Sequence, residues 1–466
     1  MKKSTTRISR FLTESRSLLH LSLPIIITQL ATQGMGFVDT SMAGQASAID
    51  LAAIAVGASL WVPASLLLRG ILMSLAPVTA HHRGSNFNGG ISRDLGQTVW
   101  VALTCSVLLI IYLLQSSAIL TFMNVDSLVV PVGSGYLTAL AFGVPGIALF
   151  YTLNSFSEGM GNTRAPMVIA LIGLMINIPV NYVLIYGKVG FPAMGAIGSG
   201  WATSLVYWIM SLLMWAYIQR HHHYKTLLDY PLMVPNVKRI VALVKLGLPI
   251  GISIFVCGSI FAVIALLIGK LGASHIASAQ VALNFSSLTY MIPMSLSFGI
   301  TIRVGHALGQ GQYQIAEYRS YHGIVLATLL ATLSVSTLIF FPQQIIALYT
   351  SDPEIVAGAS ALLLYTAIYQ ISDAIQTSAN GALRGYKDTR VPMWLSCFCY
   401  WAVALPIGYT FAMTDLWGAP LGNRGFWFGI VTGLTLGAIF MVLRLRCVLR
   451  QHRQTASSVN TNACVA

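Results

Sequence analysis

The run Gly159-Met-Gly-Asn-Thr-Arg-Ala-Pro-Met167 returns 226 residues later as Gly385-Tyr-Lys-Asp-Thr-Arg-Val-Pro-Met393. At an offset of 225, Leu21-Ser-Leu-Pro-Ile25 returns as Leu246-Gly-Leu-Pro-Ile250, and Arg83-Gly84 lines up with Leu308-Gly309. Agreement of three well-separated segments on one offset identifies a duplicated chain. Each copy holds six apolar stretches. Because six is even, both copies enter a membrane from the same side, as parallel repeats about an axis along the bilayer normal.

Composition supplies the membrane. The 466 residues are 56% hydrophobic and 8% charged, with a mean hydropathy of +0.75, whereas a soluble chain carries about 25% charged residues. That excludes a soluble enzyme, a disordered tail protein and a nucleic-acid binder. At about 20 apolar residues per crossing, twelve candidates emerge: 16–40, 51–80, 95–122, 129–154, 164–186, 195–219, 240–269, 275–305, 318–348, 355–383, 391–413 and 425–447. The expected protein is all-α and integral to the membrane, with twelve transmembrane helices in two six-helix lobes. Its parts are a tail over 1–15, an N-lobe over 16–220, a linker over 221–239, a C-lobe over 240–447 and a tail over 448–466. Thr28, Gln29, Thr32 and Gln33 interrupt the first apolar stretch, so it reads as a retained helix and not a cleaved signal.

The net charge of +13 is mostly topology. With the amino terminus inside, Lys2, Lys3, Arg7, Arg10 and Arg16 share a side with Arg83, Arg93, Arg164, Arg220, Lys225, Lys238, Arg239 and Lys245. Arg303, Arg319, Arg384, Lys387, Arg390, Arg444, Arg446, Arg450 and Arg453 complete that side. Lys188, Lys270 and Arg424 fall opposite, and Arg69 lies within a span. The asymmetry places both termini in the cytoplasm, and no nucleic-acid partner is expected. His221-His222-His223 reads as solvated linker, with no further ligand at metal-binding spacing. Cys105, Cys257, Cys397, Cys399, Cys447 and Cys464 read mainly as small residues of apolar runs, with no disulfide framework. No cofactor or resident metal is expected.

Of the 13 acids, eleven fall in loops or at helix ends, which leaves Asp39 and Asp373. An intramembrane carboxylate costs several kcal/mol unless protonated, paired or hydrated, so it marks a functional candidate. The alternatives are a helix-end cap for Asp39, beside Thr40 and Ser41, and an interhelical hydrogen bond for Asp373. At the repeat offset Asp39 is matched by Ile264 and Asp373 by Ile147. Neither acid is duplicated, so the scaffold can be built without them. Asn177 and Asn181 share one helix face; they serve either as partners of a buried carboxylate and its cation or as glue between helices. Tyr369, four residues before Asp373, can reach it on the same face. Arg69 is too deep to snorkel to either surface, and its role is open.

In combination, Met35-Gly-Phe-Val-Asp-Thr-Ser-Met-Ala-Gly44, Ser155-Phe-Ser-Glu-Gly159, Asn177-Ile-Pro-Val-Asn181-Tyr, Gly200-Trp-Ala-Thr203, Ile302-Arg-Val-Gly-His306 and Ala382-Leu-Arg-Gly-Tyr-Lys-Asp-Thr389 resemble the multidrug and toxic compound extrusion family, MATE, in its NorM branch. The resemblance covers residues 15 to 445. It implies a V-shaped pair of lobes in a bacterial-type inner membrane, with organic cations and drugs exported in exchange for H+ or Na+ by a monomer. It also implies an N-lobe ion site at Asp39, Asn177, Asn181 and Thr203, and a bend of the first helix at Pro24. The C-lobe cation site corresponds to Asp373 and Tyr369, with Cys257 standing where the family has a glutamate. A neutral thiol is a poor ligand for a hard Na+ ion, so a transient Na+ there is in question.

The activity expected is secondary active antiport, with Asp39 alternating between protonated and ionised forms. The alternative is a flippase for an anionic lipid-linked precursor, which Arg69 favours. An intramembrane enzyme is not expected, because no Ser/His or paired-Asp constellation lies at one depth.

Overall fold

A computed structural model of the chain describes residues 7–221, 224, 234–347, 352–416 and 418–463. Among them there is no strand, and 12 helices are long and apolar enough to cross a membrane. These are α1 (Arg7–Ala46), α2 (Ala48–Gly84), α3 (Asn88–Leu114), α4 (Val129–Gly159), α5 (Arg164–Tyr186), α6 (Gly195–Arg220), α7 (Val237–Leu271), α8 (Ser274–Gly309), α9 (Tyr313–Phe340), α10 (Pro353–Gly385), α11 (Arg390–Met413) and α12 (Asn423–Gln454). All twelve expected crossings are present. Lys225, His222, His223 and Cys464 lie outside the described residues.

The repeat holds at the level of helix ends. The starts of α3 and α9, Asn88 and Tyr313, keep the offset of 225, while the ends of α4 and α10, Gly159 and Gly385, keep that of 226. Both halves also break at one equivalent point. The stretch expected as a single crossing over 95–122 ends at Leu114 and restarts as a short helix, Ser116–Phe122; that over 318–348 ends at Phe340 and restarts as Pro342–Ala347. Pro342 disfavours the α conformation for the residue before it, and Phe341 leaves the helix with φ −128° and ψ 39°. Several helices outrun the apolar window, α1 beginning at Arg7, because backbone hydrogen bonding continues past the hydrocarbon edge.

The chain divides into two compact units, Leu23–Gly251 and Met1–Ser22 with Ile252–Ala466. The division therefore cuts α1 just before Pro24 and cuts α7 just after Pro249. In the first unit, Ala31, Met35, Phe150, Phe156, Val206 and Met210 form one buried core and Ala53, Leu72, Val101, Leu137 and Val144 another. In the second, Leu18 packs with Leu296, Ile300 and Leu383, while Ile260, Ile264, Leu362, Tyr369 and Trp427 form a separate core. Many large apolar side chains lie on the outside, including Phe37, Leu108, Met175 and Leu333, as expected where the solvent is lipid.

One stretch departs from the α pattern. Residues Phe398–Ala404 of α11 are π-helical and lead directly into Leu405–Met413, which carries Pro406. Pro406 has no N–H and its ring crowds the carbonyl four residues earlier, so widening the preceding turn accommodates it.

Candidate functional site

In the unit Leu23–Gly251, three helices converge on one carboxylate. Asp39 of α1 is buried. Its Oδ1 accepts from Asn177 Nδ2 at 3.1 Å and from Asn181 Nδ2 at 2.7 Å, both on α5, and its Oδ2 accepts from Thr203 Oγ1 of α6 at 2.7 Å. The structure thus brings together all four residues expected at this site. Spacing of four on α5 puts both amides on one face, and both asparagines are fully buried. Their Oδ1 atoms find no hydrogen-bond partner among the described residues. The arrangement suits an ionised carboxylate, which only accepts, and keeps two amide oxygens in reserve beside it.

Pro24 is buried within α1, and Thr28 returns its hydroxyl to the Pro24 carbonyl at 2.9 Å.

Arg69 has its own partners in the same unit. Its Nη2 donates to Gln29 Oε1 of α1 at 2.6 Å, and its guanidinium lies 5.7 Å from the Tyr151 ring centre. It is also within electrostatic reach of Glu158, which has Asn154 as a neighbour one turn earlier on α4. Glu158 counted as a helix-end acid and was missed as a partner of this arginine. A signal was available, since at offset 226 Glu158 is matched by Arg384, a reversal of charge inside a close repeat. Both side chains are only partly buried and they make no direct ion pair, so removing the arginine takes away a neighbouring charge and the bond to Gln29, a loss of about 1–3 kcal/mol. Arg69→Met is therefore expected to lower the thermal midpoint of the purified protein by a few degrees, and adding Glu158→Gln should recover part of the loss.

The unit that includes Ile252–Ala466 gathers a second polar cluster. Asp373 of α10 accepts from Thr377 Oγ1 at 3.3 Å. Tyr369 does not make the bond to Asp373 that their spacing allows. It is buried and donates to Ser286 Oγ at 2.6 Å, because the turn of α10 that carries it faces α8. Cys257 of α7 neighbours the Tyr400 hydroxyl, which lies 3.4 Å from Gln376 Nε2. Tyr290 of α8 lies beside Thr377. Sequence reasoning missed Tyr290, Thr377 and Tyr400. Tyr400 sits in the π-helical stretch, where side chains leave the 3.6-residue register and face assignment fails.

The comparisons with known proteins agree with this architecture. A MatE family model matches residues 24–183 and 249–410, once in each half. The multidrug resistance protein MdtK of Yersinia pseudotuberculosis is 43% identical over 446 residues, 95% of this chain and 98% of its own. MdtK of Yersinia enterocolitica is 42% identical over the same length and shares. The crystal structure of MATE in the bent conformation superposes with a TM-score of 0.86 at 20% identity, covering 97% of this chain and 100% of that one. With both repeats matched and relatives of nearly full length at this identity, the chain belongs to the MatE family of multi-pass membrane transporters.

Proposed function

We propose that the chain is a secondary active antiporter of the NorM branch that exports organic cations and drugs in exchange for inward H+. The observation that carries this is the Asp39 carboxylate, held by three donors from two neighbouring helices inside a membrane unit. When ionised it accepts all three bonds. When protonated it must itself donate one, so a donor has to turn away or become an acceptor. Thr203 can rotate its hydroxyl, and either asparagine can present the Oδ1 that now lacks a partner. Proton uptake thereby changes the hydrogen bonding and charge that join α1 to α5 and α6, and Pro24, on the same helix, is the proposed bend. Export of drugs is carried over from the name of the MdtK relatives. The expected setting is a bacterial-type inner membrane, with both termini cytoplasmic and a monomer as the working form.

The same frame can also serve Na+, since turning both amides would offer oxygen ligands beside the carboxylate. The deciding experiment is dye efflux from proteoliposomes under separately imposed H+ and Na+ gradients. Efflux driven by H+ alone is expected, and efflux driven only by Na+ overturns the proton reading. In the second cluster a neutral thiol replaces the family's glutamate, so we assign no Na+ to Asp373. Cys257→Glu would place a second carboxyl in this cluster and is expected to confer Na+-stimulated efflux in the same assay.

The flippase reading rests on Arg69. That guanidinium is already engaged by Gln29 and offset by Glu158, and an anionic headgroup calls for several cations. Scrambling of an anionic lipid in the same vesicles, without dye export, would favour it.

A further inference from the structure

We infer that two ion-pair latches of reversed polarity decide which unit receives the leading end of α1 and which receives the leading end of α7. In the unit formed by Met1–Ser22 and Ile252–Ala466, Glu14 near the start of α1 accepts from Arg303 Nε of α8 at 2.7 Å and from Arg319 Nε of α9 at 3.1 Å. In the unit Leu23–Gly251, Asp94 of α3 accepts from Arg239 Nη1 in the first turn of α7 at 3.1 Å, and its other oxygen lies 2.9 Å from His82 Nε2. At the repeat offset of 225, Glu14 is matched by Arg239 and Asp94 by Arg319. The two pairs occupy the same place in the two halves with their charges exchanged.

The neighbouring contacts follow the same equivalence. Gln97 of α3 corresponds to His322 of α9, and Asn236 corresponds to Phe11. Gln97 Oε1 accepts from the Asn236 backbone N–H at 2.7 Å. His322 lies 3.2 Å from Ser15 Oγ and packs edge-on against Phe11 at 4.5 Å between ring centres. Each helix start is therefore gripped by the second and third turns of one receiving helix, α3 or α9, through equivalent positions.

Apolar packing cannot make the choice. Leu18 and Leu19 of α1, buried or partly buried in one unit, are matched at the offset by Leu243 and Val244 of α7; Leu243 is buried, and Val244 and Ile240 pack against a core of the other unit. The two ends offer similar greasy faces, so in a tandem repeat either could be accepted by either receiving helix. Charge discriminates. Glu14 set on α3 would face Asp94, and Arg239 set on α9 would face Arg319 and Arg303. Repulsion in the unwanted arrangement is as much a part of specificity as attraction in the chosen one. Matching polarity in both halves would have served stability equally and specified nothing.

The test uses the full chain with its native cysteines replaced by serine and three engineered pairs. Ser15→Cys with His322→Cys and Gln97→Cys with Asn236→Cys report the observed docking, while Ser15→Cys with Gln97→Cys reports the exchanged one. The double reversal Glu14→Arg with Arg239→Glu makes the exchanged arrangement the attractive one. It is expected to lower both observed cross-links about tenfold, a change of about 1.4 kcal/mol, and to create the third. Unchanged cross-links would overturn the inference and leave the ion pairs as ordinary stabilising contacts. If the double reversal fails to accumulate, Glu14→Gln with Arg239→Gln removes the discrimination without imposing repulsion. The third cross-link should then appear beside the first two, and its absence would equally overturn the proposal.

Discussion

Asp39→Asn is expected to abolish gradient-driven export while leaving a folded protein in the membrane. The substituted amide has the size and shape of the carboxyl. Its oxygen can still accept from Asn177 and Asn181, and its nitrogen can donate to the Thr203 hydroxyl, so the contacts of α1 with α5 and α6 have partners. What disappears is the difference between two states. Hydrogen bonds to a charged acceptor are worth about 1.5–3 kcal/mol each, and in the natural protein three of them are gained or rearranged as the proton leaves or arrives. An amide titrates neither way, so nothing converts the gradient into a preference between conformations. The initial rate of dye efflux under a pH gradient should fall about 100-fold or more, the equivalent of about 2.7 kcal/mol in the coupled step. The thermal midpoint should stay near that of the unsubstituted protein. Full pH-driven efflux by Asp39→Asn in proteoliposomes would remove Asp39 from the coupling role.

Asp39 and the candidate partners Asn177 and Asn181 were legible in the sequence for physical reasons, whereas Thr203 entered only through the family resemblance. A carboxylate inside a span is rare enough to stand out, and two asparagines four apart on a neighbouring span declare a shared face. The repeat was legible too, because its Pro-containing loops and helix starts are under the same geometric demand in both halves. Other features were hidden by the same logic. Glu158 lies in the last turn of α4, where an acid is ordinarily solvated, and only the path of α2 brings Arg69 toward it. Tyr369 and Thr377 are equally spaced from Asp373 on α10, yet Thr377 makes the bond and Tyr369 turns to Ser286. Helical spacing says which residues share a face but not which neighbour that face meets. The breaks at Gln115 and Phe341 escaped a scan at membrane-crossing length, because a window of about 20 residues averages over the short polar steps Gln115-Ser116-Ser117 and Pro342-Gln343-Gln344. The π-helical turn carrying Tyr400 lay beyond reach because it breaks the very period that face assignment relies on.

Gly429→Ile is expected to prevent the protein from accumulating as a folded species. Gly425, Gly429, Gly433 and Gly437 recur every four residues along one face of α12, the pattern by which membrane helices bring their backbones together. A Cβ on Gly429 would lie 2.5 Å from Gly408 N and 2.6 Å from Gly408 Cα, and against the Ala404 carbonyl. Ordinary carbon contacts need about 3.5–4.0 Å. The obstacle is backbone on every side, so no rotamer change can relieve it and α11 and α12 must separate. A penalty of about 4 kcal/mol or more belongs to the exceptional class of substitutions, and it removes much of the about 5–15 kcal/mol that holds a typical domain together. The readout is monodisperse protein recovered in detergent, with Gly36→Ala as the control, because nothing lies within 4 Å of a Cβ at Gly36. Near-normal recovery of Gly429→Ile would mean that α11 and α12 can separate at little cost. Ala404 also closes the π-helical stretch that presents Tyr400 to Cys257. The glycine face of α12 is therefore what lets α11 sit close enough to complete the second polar cluster.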